Sequence, residues 1–352
     1  MTVSTADRPT KLRWGVLGVA RIATKKVIPA MQRGRWTEVD AIASRDGARA
    51  RDAAAELGIA RAYGSYEALL EDPEIDAVYI PLPNHLHVEW TTRAAEAGKH
   101  VLCEKPIGLT AADAAQLIEV RDRTGVRIQE AFMVRTHPQW LGALAIARSG
   151  RIGVARSITG YFSFFNDDPA NIRNVKAYGG GGILDIGCYL VNTARMIFEG
   201  EPRRVCALIE ESPATGVDWM ASMILDFDGR HAAGTCSTQL AHGQRITIAG
   251  TMGRIEIEIP FNAPPDRPCR IFVEDAPPGA VPDRHTVEFE TCDQYTIQGD
   301  LFSRAVLDGT PAPYPLEDSL ENMRVIDALF RSGRSGTWER VASEGAPAMR
   351  QG

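Results

Sequence analysis

Leu12-Arg13-Trp14-Gly15-Val16-Leu17-Gly18-Val19-Ala20-Arg21-Ile22-Ala23 is the stretch that decides the fold. An apolar run, residues 12–17, meets a glycine and passes into an amphipathic segment, residues 22–31. Strand, tight turn and helix in that order open a doubly wound sheet. A dinucleotide-binding turn needs a glycine where the chain bends. It also needs a small residue where backbone meets pyrophosphate, and another where helix packs on strand. Gly18, Ala20 and Ala23 fit these places, although Ala20 stands where a second glycine is usual. The amides of Val19, Ala20, Arg21 and Ile22, at the helix start, are the expected pyrophosphate contacts. An ordinary α/β turn would read the same way, so the weight comes from the surrounding pattern.

That pattern is strand-helix alternation. Strands are expected at residues 39–43, 77–80, 100–103 and 127–131, with helices at 48–57, 88–97 and 111–124. Short links between them imply a parallel sheet in a first domain, residues 1–131. After Phe132 the pattern changes. Helices are expected at 139–149 and 183–198, followed by strand-like runs at 205–209, 221–227, 232–237, 246–249, 255–259 and 286–290. Consecutive strands without intervening helices imply a large open, mostly antiparallel sheet in a second α/β domain, residues 132–352. The proline-rich stretch 261–283 is expected to be loop, and helices at 300–307 and 316–330 close the chain.

Composition bounds the function. The chain has 352 residues, more than one core usually holds, with 44% hydrophobic and 24% charged residues. A net charge of -6 argues against a nucleic-acid footprint. No apolar run is long enough to span a bilayer. The first eleven residues are polar, without the apolar segment of a secretory signal and without a twin arginine. The six cysteines are scattered and the seven histidines form no zinc motif. Reduced thiols in the cytoplasm and no metal are the resulting expectations.

The end of the second strand tests the cofactor. A carboxylate there would grip the ribose of NAD and repel a 2′-phosphate. Ser44-Arg45 stands there instead, and a guanidinium pairs with phosphate. NADP is the expected cofactor, with NAD possible, provided that Asp46 caps the next helix rather than turning inward.

Ligands of such sheets bind beyond the carboxyl ends of the strands. Pro81, Leu82, Asn84 and His87 follow one strand there, and Glu104-Lys105-Pro106 follows the next. All but Pro106 are expected cofactor contacts. The second domain supplies Gly179-Gly180-Gly181-Gly182, then Asp185 and Tyr189 four apart, on one helical face. Hydride transfer at a carbinol carbon needs a proton partner on its oxygen. A tyrosine can serve if a neighbouring ammonium, here Lys105, lowers its pKa from about 10. Spacing alone leaves equally open a half-buried aromatic and a helix-start carboxylate. Arg135, Asn171, Arg173, Asp185 and Tyr189 are the expected substrate contacts.

These pieces together resemble the Gfo/Idh/MocA oxidoreductase family, named for glucose-fructose oxidoreductase and inositol dehydrogenase. The matching residues are the Gly18 turn, Ser44-Arg45, Pro83-Asn84, Glu104-Lys105-Pro106 and the stretch 180–192. Glu130-Ala131-Phe132-Met133 with Arg135 and His137, Pro260-Phe261-Asn262 and the segment 322–328 look like a subgroup that includes dehydrogenases of aldoses such as xylose. The resemblance implies a Rossmann domain and an α/β domain whose sheet often makes a dimer or tetramer interface. It implies that Lys105 and Tyr189 carry the chemistry, with Asp185 orienting a sugar or polyol. Tyrosine at 189 looks like the glucose-fructose oxidoreductase branch, though without that enzyme's export signal. An NADP-dependent aldose 1-dehydrogenase is the leading expectation. Ketosugar (deoxysugar) reductases, dihydrodiol dehydrogenases and non-catalytic dinucleotide-binding regulators are the alternatives, and retention of both Lys105 and Tyr189 argues for an enzyme.

Overall fold

Strands buried on both faces read as unbroken apolar runs, and the first sheet is built of them. Its strands are β1 (Leu12–Leu17), β2 (Thr37–Ala43), β3 (Arg61–Tyr63), β4 (Ala77–Ile80), β5 (His100–Cys103) and β6 (Ile128–Glu130). They run parallel in the order β3-β2-β1-β4-β5-β6. Chain direction across the sheet reverses between β1 and β4, which places the ligand crevice beyond their carboxyl ends. The computed structural model describes residues 11–342, so the polar tail at 1–10 lies outside the described residues.

Helices α1 (Ile28–Gln32), α2 (Gly47–Leu57), α3 (Tyr66–Leu70), α4 (His87–Glu96) and α5 (Ala111–Thr124) flank this sheet. Their starts are set locally. Asp46 accepts the Ala48 and Arg49 amides, Ser65 accepts Ala68, and Thr110 with Asp113 forms a reciprocal cap on α5. A π-turn, Ala23–Val27, leads into α1 directly after the glycine turn.

The second layer contains α6 (Pro138–Arg148), β7 (Ala155–Phe165), α7 (Cys188–Phe198), β8 (Arg204–Glu211), β9 (Asp218–Asp226), β10 (His231–Ser237), β11 (Gln239–Gly250), β12 (Gly253–Ile257), β13 (Cys269–Asp275) and β14 (Asp283–Phe289). Helices α8 (Gln294–Leu307) and α9 (Leu316–Ser335) and the short β15 (Glu339–Arg340) follow. The sheet order is β14-β13-β12-β11-β7-β10-β9-β8-β15, and every neighbouring pair is antiparallel except β7 with β10. One expectation is corrected here. Residues 261–283 are not all loop, because β13 lies inside them with Ile271 and Val273 buried. The prolines sit outside the strand, where a missing N–H breaks no ladder bond.

Helix α8 returns to the first sheet. Trp14 in β1 donates through Nε1 to Ser303 Oγ at 3.0 Å, and its ring lies 5.5 Å from that of Phe302. The Asp300 carboxylate accepts the amides of Arg35 and Trp36. This docking brings the first turn of α8 to the mouth of the crevice. Among the described residues no helix is long and apolar enough to cross a membrane. Nor does any group of three His, Cys, Asp or Glu side chains among them converge to hold a metal ion.

Candidate active site

A cleft of about 1480 Å³ runs along the carboxyl ends of β1 and β4 and under the loops of the second domain. Its inner wall begins at Gly18, whose φ of +119° is a left-handed conformation that favours glycine. A Cβ there would lie 3.0 Å from Leu82 Cδ2, so the glycine lets the turn lie flat against the Pro81–Leu82 loop. Val19, Ala20, Arg21 and Ile22 follow on the same wall. Helical backbone begins at Arg21 and continues through the π-turn into α1, so its first amides have no carbonyl one turn back. This is a geometry that fits a pyrophosphate.

At the outer end stand Ser44, Arg45 and Arg49, beside Lys25 and Lys26. Ser44 is buried, and its Oγ accepts the Asp46 N–H at 3.2 Å. Arg45 is exposed and reaches the Tyr66 hydroxyl. Asp46 faces its own helix, accepting Ala48 N–H at 2.9 Å. Asp46→Ala should therefore lower stability by about 1 kcal/mol, the usual worth of such a cap. It should leave NADP binding undiminished. Urea unfolding midpoints and a fluorescence titration with NADPH measure the two effects.

At the inner end, three charged side chains meet. Lys105 Nζ donates to the Asp185 carbonyl at 2.5 Å and to its Oδ1 at 3.2 Å. Arg173 Nε donates to Asp185 Oδ2 at 2.7 Å. Burial pushes the Asp185 carboxyl up, but the two cations outweigh it and hold it below the usual carboxylate range. Burial likewise works against the Lys105 ammonium, and Asp185 overrides it, so Lys105 stays charged. Glu104 is drawn upward by burial, with Lys105 and the Tyr79 hydroxyl, 2.6 Å away, partly offsetting this.

Tyr189 corrects a sequence expectation. Its hydroxyl donates to the Met133 thioether at 3.4 Å, while Lys105 Nζ lies over its ring, 5.2 Å from the centroid. The ring packs among Phe132, Phe162 and Phe261. Burial in this aromatic nest, reinforced by Glu104, pushes the phenol well above its ordinary value. Burial, rather than the Lys105 ammonium, sets the state of the phenol, and that ammonium is bonded to Asp185.

The glycine run makes this meeting possible. Gly181 has φ +116°, and a Cβ there would lie 1.9 Å from Asp218 Oδ1. Buried Asp218, its pKa pushed up to about 7 by burial, accepts the Ile183 N–H at 2.6 Å and anchors the π-turn Ile183–Gly187 that carries Asp185. Asn84 donates to the Gly179 carbonyl at 2.8 Å, and His85 stacks on Tyr178 at 4.6 Å, clasping the two domains across the cleft.

Two expected contacts are displaced. His87 is fully buried behind the cleft, its ring nitrogens 2.7 and 2.8 Å from the carbonyls of Pro106 and Leu82. It braces the two loops and does not reach a cofactor surface. Arg135 turns away to pair with Asp318 and to cover the Tyr314 ring at 4.2 Å, off the cleft. Asn171 and Arg173 do line the cleft, with Asn171 Oδ1 accepting the Arg173 N–H. Sequence reasoning missed Tyr66, Met133, Phe164, Tyr178, His242 and Tyr295. Tyr295 belongs to α8, whose return to the first sheet has no local signal.

Residues 12–132 match the family described as an oxidoreductase family with an NAD-binding Rossmann fold, and residues 140–256 match the GFO/IDH/MocA C-terminal domain. The chain belongs to the Gfo/Idh/MocA oxidoreductase family. An uncharacterized oxidoreductase, ORF334, of Rhizobium meliloti is 49% identical over 94% of this chain and 99% of its own. A D-xylose 1-dehydrogenase (NADP(+)) of Haloferax volcanii is 41% identical over 92% and 98%. The structure of KijD10, a 3-ketoreductase from Actinomadura kijaniata in complex with NADP and TDP-benzene, superimposes with a TM-score of 0.85 at 31% identity. It covers 92% of this chain and 98% of that one. The Rossmann domain and the mostly antiparallel second domain are those of this Gfo/Idh/MocA family, and the two relatives named here with a stated activity are a D-xylose 1-dehydrogenase (NADP(+)) and a 3-ketoreductase in complex with NADP. The cofactor and the enzyme class expected from the sequence agree with these relatives.

Proposed function

We propose that this Gfo/Idh/MocA protein is an NADP-dependent oxidoreductase acting at a carbinol carbon of a free, uncharged sugar, with aldose 1-dehydrogenase as the best single reading. The observation that carries the proposal is the charge balance of the inner cleft. Beyond Arg21 at the glycine turn and the cationic rim near Arg45, the lysine and arginine among the described residues that line it are Lys105 and Arg173, and both are bonded to Asp185. Binding a diphosphate buried there would need cations to offset it. Asp168 adds a carboxylate instead, and Phe164, Tyr178 and Tyr295 offer aromatic faces. A neutral polyol fits that lining, with Asn171 and Arg173 reaching its hydroxyls. The Haloferax relative's activity on xylose with NADP points the same way.

A bound nicotinamide would supply or accept the hydride. This chain's part is to place the carbinol oxygen by Tyr189, which exchanges a proton with it, and to keep Lys105 charged beside the site through Asp185. One observation favours a second reading, reduction of a ketosugar. A phenol held neutral carries the proton that a reduction must deliver and is a poor acceptor of the one that an oxidation releases. Turnover with NADP+ over free pentoses, hexoses and polyols, set against NADPH with a nucleotide-linked ketosugar, tests the two. Oxidation of a free aldose is expected. Activity confined to the nucleotide-linked ketone would overturn the primary reading.

Leu208, Ile224, Tyr161 and Phe165 lie on the outer face of the nine-stranded sheet and are 43–68% exposed. This apolar face supports a homodimer or homotetramer, which light scattering would measure. Six free cysteines fit a reducing cytoplasm.

A further inference from the structure

The segment Glu130–Met133 leaves β6 directly behind the lysine and the tyrosine, and the chemistry above gives its carboxylate no part. In the parallel register Glu130 lies beside Cys103, one residue before Glu104. The side chain is buried, and its Oε1 accepts the Ile107 N–H at 2.8 Å. Ile107 is itself fully buried and stands two residues beyond Lys105. Ser319, at the start of α9, bonds the same carboxyl. Glu130 thus ties the loop that carries Lys105 to a helix of the second domain.

We propose that Glu130 is a positioning residue that holds the Glu104–Ile107 loop so that the Lys105 ammonium meets Asp185. The inference rests on the reading that Lys105 takes part in the reaction. A carboxyl at this place is costly to bury, and an apolar side chain would fill the same volume. What an apolar side chain cannot do is accept a backbone N–H that has no other partner inside the core. A buried amide without an acceptor is unfavourable enough to move a loop. Lys105 is sensitive to such movement. Its Nζ makes two bonds to one residue of the other domain, at 2.5 and 3.2 Å, and a shift of about 1 Å would break that geometry. Gln retains an oxygen at the same distance along the side chain and Ala does not, so the two substitutions separate acceptance of the N–H from mere filling of space.

The test compares the full-length wild type with Glu130→Gln, Glu130→Ala and Lys105→Ala. Steady-state kinetics are read with NADP+ and the free sugar of the panel above that the wild type turns over fastest, and amide hydrogen exchange over residues 104–110. Glu130→Gln should keep kcat within about threefold and leave exchange in that loop unchanged. Glu130→Ala should lower kcat at least about tenfold, with the sugar KM little changed, and raise exchange in the loop, in line with the cost of slight misplacement of a catalytic group. Wild-type exchange in Glu130→Ala overturns the proposal. So does raised exchange with wild-type kcat while Lys105→Ala is inactive. If Lys105→Ala itself keeps full activity, the reading of the lysine fails, while the exchange result still decides where the loop is held. Should Glu130→Ala fail to fold, a loss of more than about tenfold in kcat in Glu130→Gln would by itself sink the inference.

Discussion

Lys105→Ala and Tyr189→Phe are each expected to lower kcat by about a hundredfold or more, the usual worth of a positioned acid-base group. The structure gives the two losses different physical origins. Tyr189→Phe removes only a hydroxyl. The ring keeps its contacts with Phe132, Phe162 and Phe261, so the fold should survive and the deficit should appear in kcat. Lys105→Ala removes a buried charge from a three-member cluster. Asp185 would retain Arg173 at 2.7 Å but lose its other cation, and the inner cleft would become more negative. Cofactor affinity should fall more at Lys105 than at Tyr189, since Lys105 stands just beyond β5 at the inner end of the cleft, where a bound nicotinamide would lie. Steady-state kinetics with NADPH titrations separate these effects. Near-wild-type turnover of Tyr189→Phe would remove that residue from the proton-transfer role.

The first domain was legible because its strands announce themselves. β1, β4 and β5 are buried runs bounded by turns, and their limits in the structure are those expected from the sequence. β3 has three residues and no apolar run to find. The central strand of the second sheet, β7, has no counterpart among the expected strands. Its sequence puts aromatic residues on both faces, Phe162 inward and Tyr161 and Phe165 outward, with Gly160 in the middle, so no alternation stands out. The same balance holds for the site. Residues carried on the turns after β1, β4 and β5 declare themselves by position. Electrostatic state does not. Lys105 near Tyr189 suggests an acidified phenol, and burial of the hydroxyl, invisible in the sequence, pushes it the opposite way. Arg135 sits in a motif that looks functional, yet its partner Asp318 is distant in sequence and invisible until the chain folds.

Arg45→Ala should weaken NADP(H) binding by roughly 1.5–3 kcal/mol, the range for a hydrogen bond to a charged group, and leave NAD(H) nearly untouched. The argument is electrostatic and local. Arg45 stands at the open lip of the cleft beside Arg49, with its guanidinium reaching the Tyr66 hydroxyl. A 2′-phosphate on the adenine ribose would meet that fork, which can give two parallel charge-assisted hydrogen bonds. The opposing charge would be Asp46, and the structure turns it the other way. Its carboxylate faces the Ala48 and Arg49 amides at the start of α2, where a helix dipole favours it. Ser44 is fixed against the Asp46 amide and keeps the strand end compact. Arg49 will soften the loss, since a second guanidinium remains nearby, so the double substitution should exceed either single one. Dissociation constants for both cofactors, with and without each substitution, decide the matter. Equal losses for NADP(H) and NAD(H), or a wild type that prefers NAD(H), would mean that Arg45 is a solvated surface charge and does not read the phosphate.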